Sequence, residues 1–344
     1  MQIIRNLILV IVIFVVSAMT IIHFIPGSEI DESKLIVLEE ENGKVLGVSE
    51  EVGEEVDEEK RIKSYLKISE LDNVLPVVDK SNFAPEKKEE TSKLSHGAGS
   101  ILALDVNSGK VLYSYAEDKE RSIASITKLA TALVLMDLGL DWNSEYEIQA
   151  SDHISGGRIY VYQGEVVKLK DLLYASLVAS ANTATQALVS ASGFTQEEFV
   201  DLMNQKADFL DLEKTSFVDP IGLSSWNTST AYEVSVLLSE ALRNPTIRDC
   251  VSRESYVFTT KSGKSKTVKS TDILLDDFEE GDIRILGGKT GFTGAAGYCF
   301  VSMFENLQNK RVITVVLGSH GHADRFEDTK HLINWVYANY EWKW

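Results

Sequence analysis

Ser125 and Lys128 stand three residues apart, close enough on a helix to share one face a turn from each other. A lysine amine kept neutral by burial can take the proton of a serine hydroxyl, freeing the oxygen to attack a carbonyl carbon. Ser-x-x-Lys also arises by chance, and a second copy, Ser64-Tyr65-Leu66-Lys67, sits in a charged segment with no apolar helix behind it. Ser125 does have such a helix behind it. Leu129, Ala132, Leu133 and Met136 recur at helical spacing, and Gly139 supplies a stop.

Two further short motifs carry polar groups able to serve such a serine. Ser180-Ala181-Asn182 follows a helical pattern, although alone it reads as a cap or turn, and a chance copy occurs at Ser225-Trp226-Asn227. Gly287-Gly288-Lys289-Thr290-Gly291 is not a phosphate loop, because Ile283 stands where that loop needs glycine and a strand comes after it. It reads as a strand edge whose glycines admit a ligand, with Lys289 and Thr290 facing an anionic group, or else as a hairpin bearing an ordinary lysine. Lys261-Ser262-Gly263 is a weaker relative at a hairpin tip.

The elements that must position these residues are legible as periodicities. Ser100 to Asp105 and Val111 to Tyr115 read as strands around the turn Asn107-Ser108-Gly109. The helix at Ser125 comes next, then helical patterns over Leu169 to Leu177 (continuing through Ser180-Ala181-Asn182), Glu197 to Phe209 and Tyr232 to Arg243. Strands return at Ser255 to Thr260, Lys266 to Thr271, Ile285 to Gly288 and onward, Tyr298 to Phe304 and Arg311 to Leu317, and a helix over Arg325 to Tyr340 closes the chain. Strands from both ends with helices between them predict an α+β fold with one antiparallel sheet and a helical insert.

The 344 residues, 44% hydrophobic and 25% charged, suffice for one large domain with appendages. A formal net charge of −18 argues against a nucleic-acid partner, which needs clustered Lys and Arg. Leu7 to Ile25 is an uncharged run that would span roughly 28 Å as a helix, the thickness of a bilayer core. Arg5 before it predicts a cytoplasmic N-terminus and an exported remainder. An uncleaved transmembrane helix and a cleaved signal peptide are the alternatives, and the length of the run with no Ala-x-Ala site favours the anchor.

From Glu29 to about Ser95 acidic clusters recur and aromatics are scarce, which reads as a solvated stalk or a partner-docking module. Local order is expected around Asn42-Gly43 and over Ile62 to Val78. Cys250 and Cys299 leave a disulfide or two buried thiols open. No metal-binding spacing stands out, His320 and His322 merely flanking Gly321 in a loop.

Ser125-x-x-Lys128, Ser180-x-Asn182 and Lys289-Thr290-Gly291, in that order, form the signature of penicillin-binding proteins and class A β-lactamases. From Gly97 on, the chain resembles the low-molecular-weight D-alanyl-D-alanine carboxypeptidases, peptidase family S11. Ala124 to Leu129, Asp171-Leu172-Leu173-Tyr174 leading into Ala179 to Asn182, Asp219-Pro220-Ile221-Gly222-Leu223, Lys289 to Thr293 with Ala296 to Cys299, and Arg325-Phe326-Glu327-Asp328 carry the resemblance.

The resemblance implies a DD-peptidase/β-lactamase-like α+β fold, an antiparallel sheet flanked by helices with an all-helical subdomain. Together with the apolar run and the acidic segment, this divides the chain into an anchor (1–28, one transmembrane helix or a signal peptide), a stalk (29–95) and a peptidase domain (96–344). It also implies roles: Ser125 the acylated nucleophile, Lys128 its base, Ser180 a proton relay to the leaving D-alanine, and Asn182 a holder of the substrate amide. Lys289 would complete the polar network and Thr290 of the Lys289-Thr290-Gly291 edge would bind the terminal carboxylate, with Arg325 a weaker carboxylate ligand. The N–H groups of Ser125 and Phe292 would form the oxyanion hole. The implied partners are a peptidoglycan pentapeptide ending in D-Ala-D-Ala, β-lactams as inhibitors, and the membrane through the N-terminal helix; no cofactor and no metal are implied. Many relatives carry a second β-rich domain and a C-terminal anchoring helix, whereas this chain ends at Trp342-Lys343-Trp344, which leaves carboxypeptidase against endopeptidase preference open. A β-lactamase and a non-enzymatic wall-binding protein on the same fold are the rival readings.

Overall fold

A computed structural model describes residues 11–15, 18–22, 39–41, 44–46, 84–89, 93–278 and 282–343. The described residues divide between a unit within 1–64 and a unit within 65–344. In the first, Ile11–Val15 pairs antiparallel with Ala18–Ile22, and Glu39–Glu41 with Lys44–Leu46 on either side of the expected turn at 42–43. The expected membrane-spanning helix over 7–25 is not found: among the described residues no helix is long and apolar enough to cross a membrane. The rest of that run, nearly all of the acidic segment, the expected order over Ile62 to Val78 and the second Ser-x-x-Lys at Ser64 lie outside the described residues.

The larger unit is built on a five-stranded sheet. Its strands are β1 (Ser100–Asp105) and β2 (Val111–Tyr115) near one end of the chain, and β5 (Ile283–Thr293), β6 (Gly297–Asn306) and β7 (Arg311–Ser319) near the other. Two intervening strands, β3 (Ser255–Thr259) and β4 (Ser265–Lys269), form a separate hairpin. The sheet order is β5-β6-β7-β1-β2 and every pair is antiparallel, so the two chain ends meet where Val315 pairs with Leu102.

The central strands read as unbroken apolar runs because both faces are covered. Ile101, Phe300, Phe304, Val312 and Val316 face Phe326, Leu332, Ile333 and Val336 of the closing helix α8 (Asp324–Asn339). Strand alternation turns Leu102, Val301, Ile313 and Val315 the other way, where α5 (Ala231–Arg243) packs.

Between the halves of the sheet lie α1 (Lys128–Asp137), α2 (Leu169–Val178), α3 (Asn182–Ala191) and α4 (Gln196–Phe209) before α5. After it come α6 (Pro245–Val251) and a single turn, α7 (Leu274–Asp277). The α+β expectation is met, with two corrections and one addition. Ser180-Ala181-Asn182 does not continue a helix. It is the break between α2 and α3, with Ser180 at φ +55. Folded structure also starts upstream of residue 96, since Glu86–Lys87 pairs with Tyr340–Glu341 and the Lys88 N–H donates to Asn339 O at 2.9 Å. The addition is α6, begun by Asn244, whose side chain accepts the N–H of Thr246 and Ile247 with Pro245 at the first helical position. Cys250 in α6 and Cys299 in β6 are both free and buried, which resolves the open choice in favour of thiols.

Phe304 is fully buried between the sheet and α8, whereas Leu307 in the following turn is 74% exposed. Phe304→Ala should cost about 3–5 kcal/mol in a urea titration. Leu307→Ala should stay within about 0.5 kcal/mol of the parent.

Candidate active site

The chain enters the site under constraint. Arg121–Ser122 pairs with Thr228–Ser229, and the Ile123 N–H donates to Asn227 O at 3.1 Å. It must then reverse within one residue to start a helix. Ala124 does so at φ +47, a left-handed conformation that costs a non-glycine residue on the order of 1 kcal/mol or more. Ala124–Thr127 form one 3₁₀ turn that runs into α1. Two backbones hold the turn from outside. A Cβ on Gly222, itself at φ +89, would meet Ala124 O at 2.0 Å, and one on Gly291 would meet Ile123 O at 2.7 Å and Ser125 N at 3.1 Å. The edge strand β5 and the loop at Gly222 approach so closely only because both positions lack a side chain. Ser125 is left part-exposed while Lys128, next turn on, is fully buried.

The Lys128 amine has three neighbours: Ser125 Oγ at 3.0 Å, Asn182 Oδ1 at 2.9 Å and Ile221 O at 2.7 Å. Asn182 donates its own nitrogen to Gly156 O at 2.9 Å, so the atom it turns to Lys128 is an acceptor. Ile221 O accepts only. A neutral amine has two hydrogens and one lone pair; with the hydrogens on Asn182 and Ile221, the lone pair faces Ser125. Burial holds the Lys128 pKa well below the usual lysine range, the nearby Lys289 lowers it further, and Asp219 opposes both. The geometry and the electrostatics therefore agree on a neutral amine with its lone pair towards Ser125 Oγ.

A second lysine lies across the site. Lys289 of β5 is 1% exposed and donates to Ser180 Oγ at 2.9 Å and Thr290 O at 3.1 Å. Burial and then Arg325 bring its pKa down to about 7, against the pull of Asp272. The left-handed backbone at Ser180 presents its hydroxyl between the helices while α3 starts immediately with Asn182. Thr290 shares a 2.6 Å hydrogen bond with Thr271. Phe292, half exposed, stacks on Tyr298 with centroids 4.2 Å apart.

Ser125, Lys128, Ser180, Asn182, Lys289, Thr290 and Gly291 are thus brought together. Arg325 behaves differently from a solvent-facing carboxylate ligand. It is 4% exposed, its Nη1 donates to Gly291 O at 3.1 Å, and its Nε is buried without a hydrogen-bond partner among the described residues. In this structure it braces the backbone of the Lys-Thr-Gly edge.

Several residues escaped the sequence reading. Asp219 gathers four backbone N–H groups, and Asn227, in what reads as a chance Ser-x-Asn copy, is fully buried with its side chain bonded to Val218, Asp219 and Thr127. Asp272, 4% exposed, has a carboxyl pushed up to about 7 by its burial and one oxygen without a partner among the described residues. The run Asp-Pro-x-Gly was a turn signal for the first of these. Nothing local marked the other two.

A neutral amine aimed at an accessible serine hydroxyl offers acyl transfer through a serine ester, which makes the chain an active-serine enzyme by class. Comparison with known proteins narrows this. Residues 86–321 match the family model of the D-alanyl-D-alanine carboxypeptidases, peptidase family S11, and the chain belongs to that family. It is a serine DD-peptidase.

Among similar proteins, D-alanyl-D-alanine carboxypeptidase DacF of Bacillus subtilis (strain 168) is 30% identical over 268 residues, 76% of this chain and 67% of the relative. A D-alanyl-D-alanine endopeptidase of Escherichia coli (strain K12) is 33% identical over 263 residues, 74% of this chain and 84% of the relative. Of solved structures, the Streptomyces K15 DD-transpeptidase is similar with a TM-score of 0.67 at 29% identity, covering 72% of this chain and 100% of that one. The antiparallel sheet with its helices is therefore the DD-peptidase fold.

The lowered pKa of Lys289 has a sign that can be measured. Between about 7 and the ordinary 10.5 the unfolded chain carries a proton on this amine that the native chain lacks, so this contribution to stability rises with pH across that window. Below it both states are protonated and the penalty of burying the charge is fully present. Urea midpoints measured over this range should climb more steeply for the parent than for Lys289→Met.

Proposed function

We propose that the chain is a membrane-anchored D-Ala-D-Ala carboxypeptidase that trims peptidoglycan stem peptides through an acyl-enzyme on Ser125. The observation that carries the reading is the 3.0 Å contact between Ser125 Oγ and a Lys128 amine whose other two neighbours are acceptors. Lys128 takes the hydroxyl proton as Ser125 Oγ attacks the carbonyl carbon of the penultimate D-alanine. The resulting oxyanion falls to the N–H groups of Ser125 and Phe292 at the helix start and the strand edge, where no reorganisation is needed. Ser180, hydrogen-bonded to Lys289, relays that proton from Lys128 to the departing D-alanine nitrogen, which leaves Lys128 neutral again. Thr290 and the positive field of Lys289 and Arg325 take the terminal carboxylate. Water then gives a proton to Lys128 as its oxygen attacks the ester carbon, and the bond to Ser125 Oγ breaks with that proton returned to the serine, releasing the shortened peptide.

The relatives include an endopeptidase and a transpeptidase as well as carboxypeptidases, so an endopeptidase is the second reading. A β-lactamase is disfavoured by the sequence. No Glu-x-x-Leu-Asn stands between Ser180 and Lys289, and Glu240, the nearest approach, pairs with Arg243 on α5. A wall-binding protein without activity would have no use for two buried lysines trained on two serines.

Mixing the full-length chain with penicillin should give a covalent adduct on Ser125 by mass spectrometry that lasts minutes to hours, and a pentapeptide ending in D-Ala-D-Ala should lose D-alanine. Ser125→Ala should abolish both. Lys128→Arg, whose guanidinium stays protonated, should acylate about 10²-fold more slowly. Rapid turnover of penicillin without D-alanine release would make the chain a lactamase instead.

The anchor rests on the apolar run Leu7 to Ile25 with Arg5 before it. The protein should remain in the membrane fraction after a high-salt wash, with its catalytic domain open to protease from outside the cytoplasmic membrane. A mature N-terminus near Gly27 would show a cleaved signal peptide.

A further inference from the structure

The loop between α4 and α5 is fastened to the nucleophile helix at three points within one turn. Asn227 Nδ2 donates to Thr127 Oγ1 at 3.1 Å, Ile221 O accepts from Lys128 Nζ at 2.7 Å, and Pro220 O accepts from Thr131 Oγ1 at 2.5 Å. The shape of the loop comes from a single carboxylate. Asp219 Oδ1 accepts the N–H of Ile221 at 2.7 Å and of Gly222 at 2.6 Å, and more distantly that of Leu223 at 3.3 Å; Oδ2 accepts the N–H of Ser224 at 2.7 Å. Asn227 closes the loop from the other side, its Oδ1 accepting from Val218 and Asp219 and its Nδ2 donating to Asp219 O at 2.8 Å.

Four consecutive N–H groups turned inward on one carboxylate leave the carbonyls of the same stretch to point elsewhere, and two of them land on α1. One, Ile221 O, lands on the base. Were that carbonyl turned aside, Lys128 would have a free hydrogen to spend on Ser125 and its lone pair would no longer be committed to the hydroxyl. The same loop carries Gly222 into contact with Ala124 and Ser125, so one carboxylate orients both members of the pair.

We propose that Asp219 is a positioning residue for the general base: by folding 219–224 it sets Ile221 O so that the Lys128 lone pair is directed at Ser125. The inference rests on the reading of Lys128 as the base for Ser125. A neutral side chain cannot replace the carboxylate in full, because an amide offers one oxygen where four N–H groups converge. Asp219 also acts through space. The groups facing the Lys128 amine are Ser125 from its own turn, Asn182 from α3, Lys289 from β5, and the Ile221 carbonyl and Asp219 charge from the loop; among these Asp219 supplies the negative charge that favours the protonated amine.

The test is the rate of Ser125 acylation by a fluorescent penicillin, measured from acid to alkaline pH in the full-length chain and in Asp219→Asn, Asp219→Ala and Lys128→Arg. Asp219→Asn should melt within a few degrees of the parent yet acylate about 10²-fold more slowly, the loss that a small misplacement of a catalytic group brings. Its acid limb should move to lower pH, because the charge that favoured protonated Lys128 is gone. Asp219→Ala should be slower still, with the limb displaced in the same direction. A role confined to stability would lower the melting temperature and the labelled fraction but leave the rate and the limb of the folded fraction in place. Folded Asp219→Asn with rate and pH profile within about twofold of the parent overturns the inference alone. A parent chain that fails to acylate, or Lys128→Arg acylating as fast as the parent, overturns the reading of the site, and the inference falls with it.

Discussion

The amine of Lys128 has no contact with bulk water, and the site depends on that fact. An ionised ammonium so placed would lack solvation worth several kcal/mol, and among the described residues no carboxylate is in direct contact to replace it. Burial and the second lysine both favour the neutral form, while Asp219 restrains the shift from a distance. The amine is thereby held neutral, 3.0 Å from Ser125 Oγ. Water that would otherwise reorganise around a developing charge has been replaced by two fixed acceptors, Asn182 Oδ1 and Ile221 O.

Holding that geometry falls to backbone rather than to flexible side chains. The turn that carries Ser125 is pressed between the edge strand β5 and the loop at Gly222, with Ala124 left-handed directly after the pairing of Arg121–Ser122 to Thr228–Ser229. Ser180 is kept left-handed by the break between α2 and α3. Strain of this order persists only where the surroundings over-determine it, and here the surroundings are a five-stranded sheet covered on both faces. Because β5 is the edge strand, its Lys-Thr-Gly run has one side free to meet the helices while the other is locked to β6 from Ile283 to Thr293. Arg325 adds a brace on the Gly291 carbonyl from α8.

Charge within the site is nearly balanced by placement rather than by ion pairs. Lys128, Lys289 and Arg325 face Asp219 and Asp272 without a direct salt bridge between any of them among the described residues. One oxygen of Asp272 and Nε of Arg325, both within this set, have no hydrogen-bond partner among the described residues.

By itself the sequence determined what short-range periodicity can encode. Ser125 and Lys128 were legible because three residues make one turn, and the strands and most helices because apolar side chains recur at two or at three to four residues. The order of the three motifs carried the family. Whatever depends on residues distant in sequence was decided only by the tertiary structure. Asn227 looks like a chance tripeptide until residues 100 apart bring it to Thr127, and Asp272 and Arg325 acquire their roles only from the burial the packed sheet imposes. The same holds for Ser180, whose helical pattern runs on through α2 and α3 while the chain breaks between them, and for Glu86–Lys87, polar residues ordered by a strand more than 250 positions away. A side chain's spacing fixes which face of an element it occupies; what waits on that face is set by the rest of the chain.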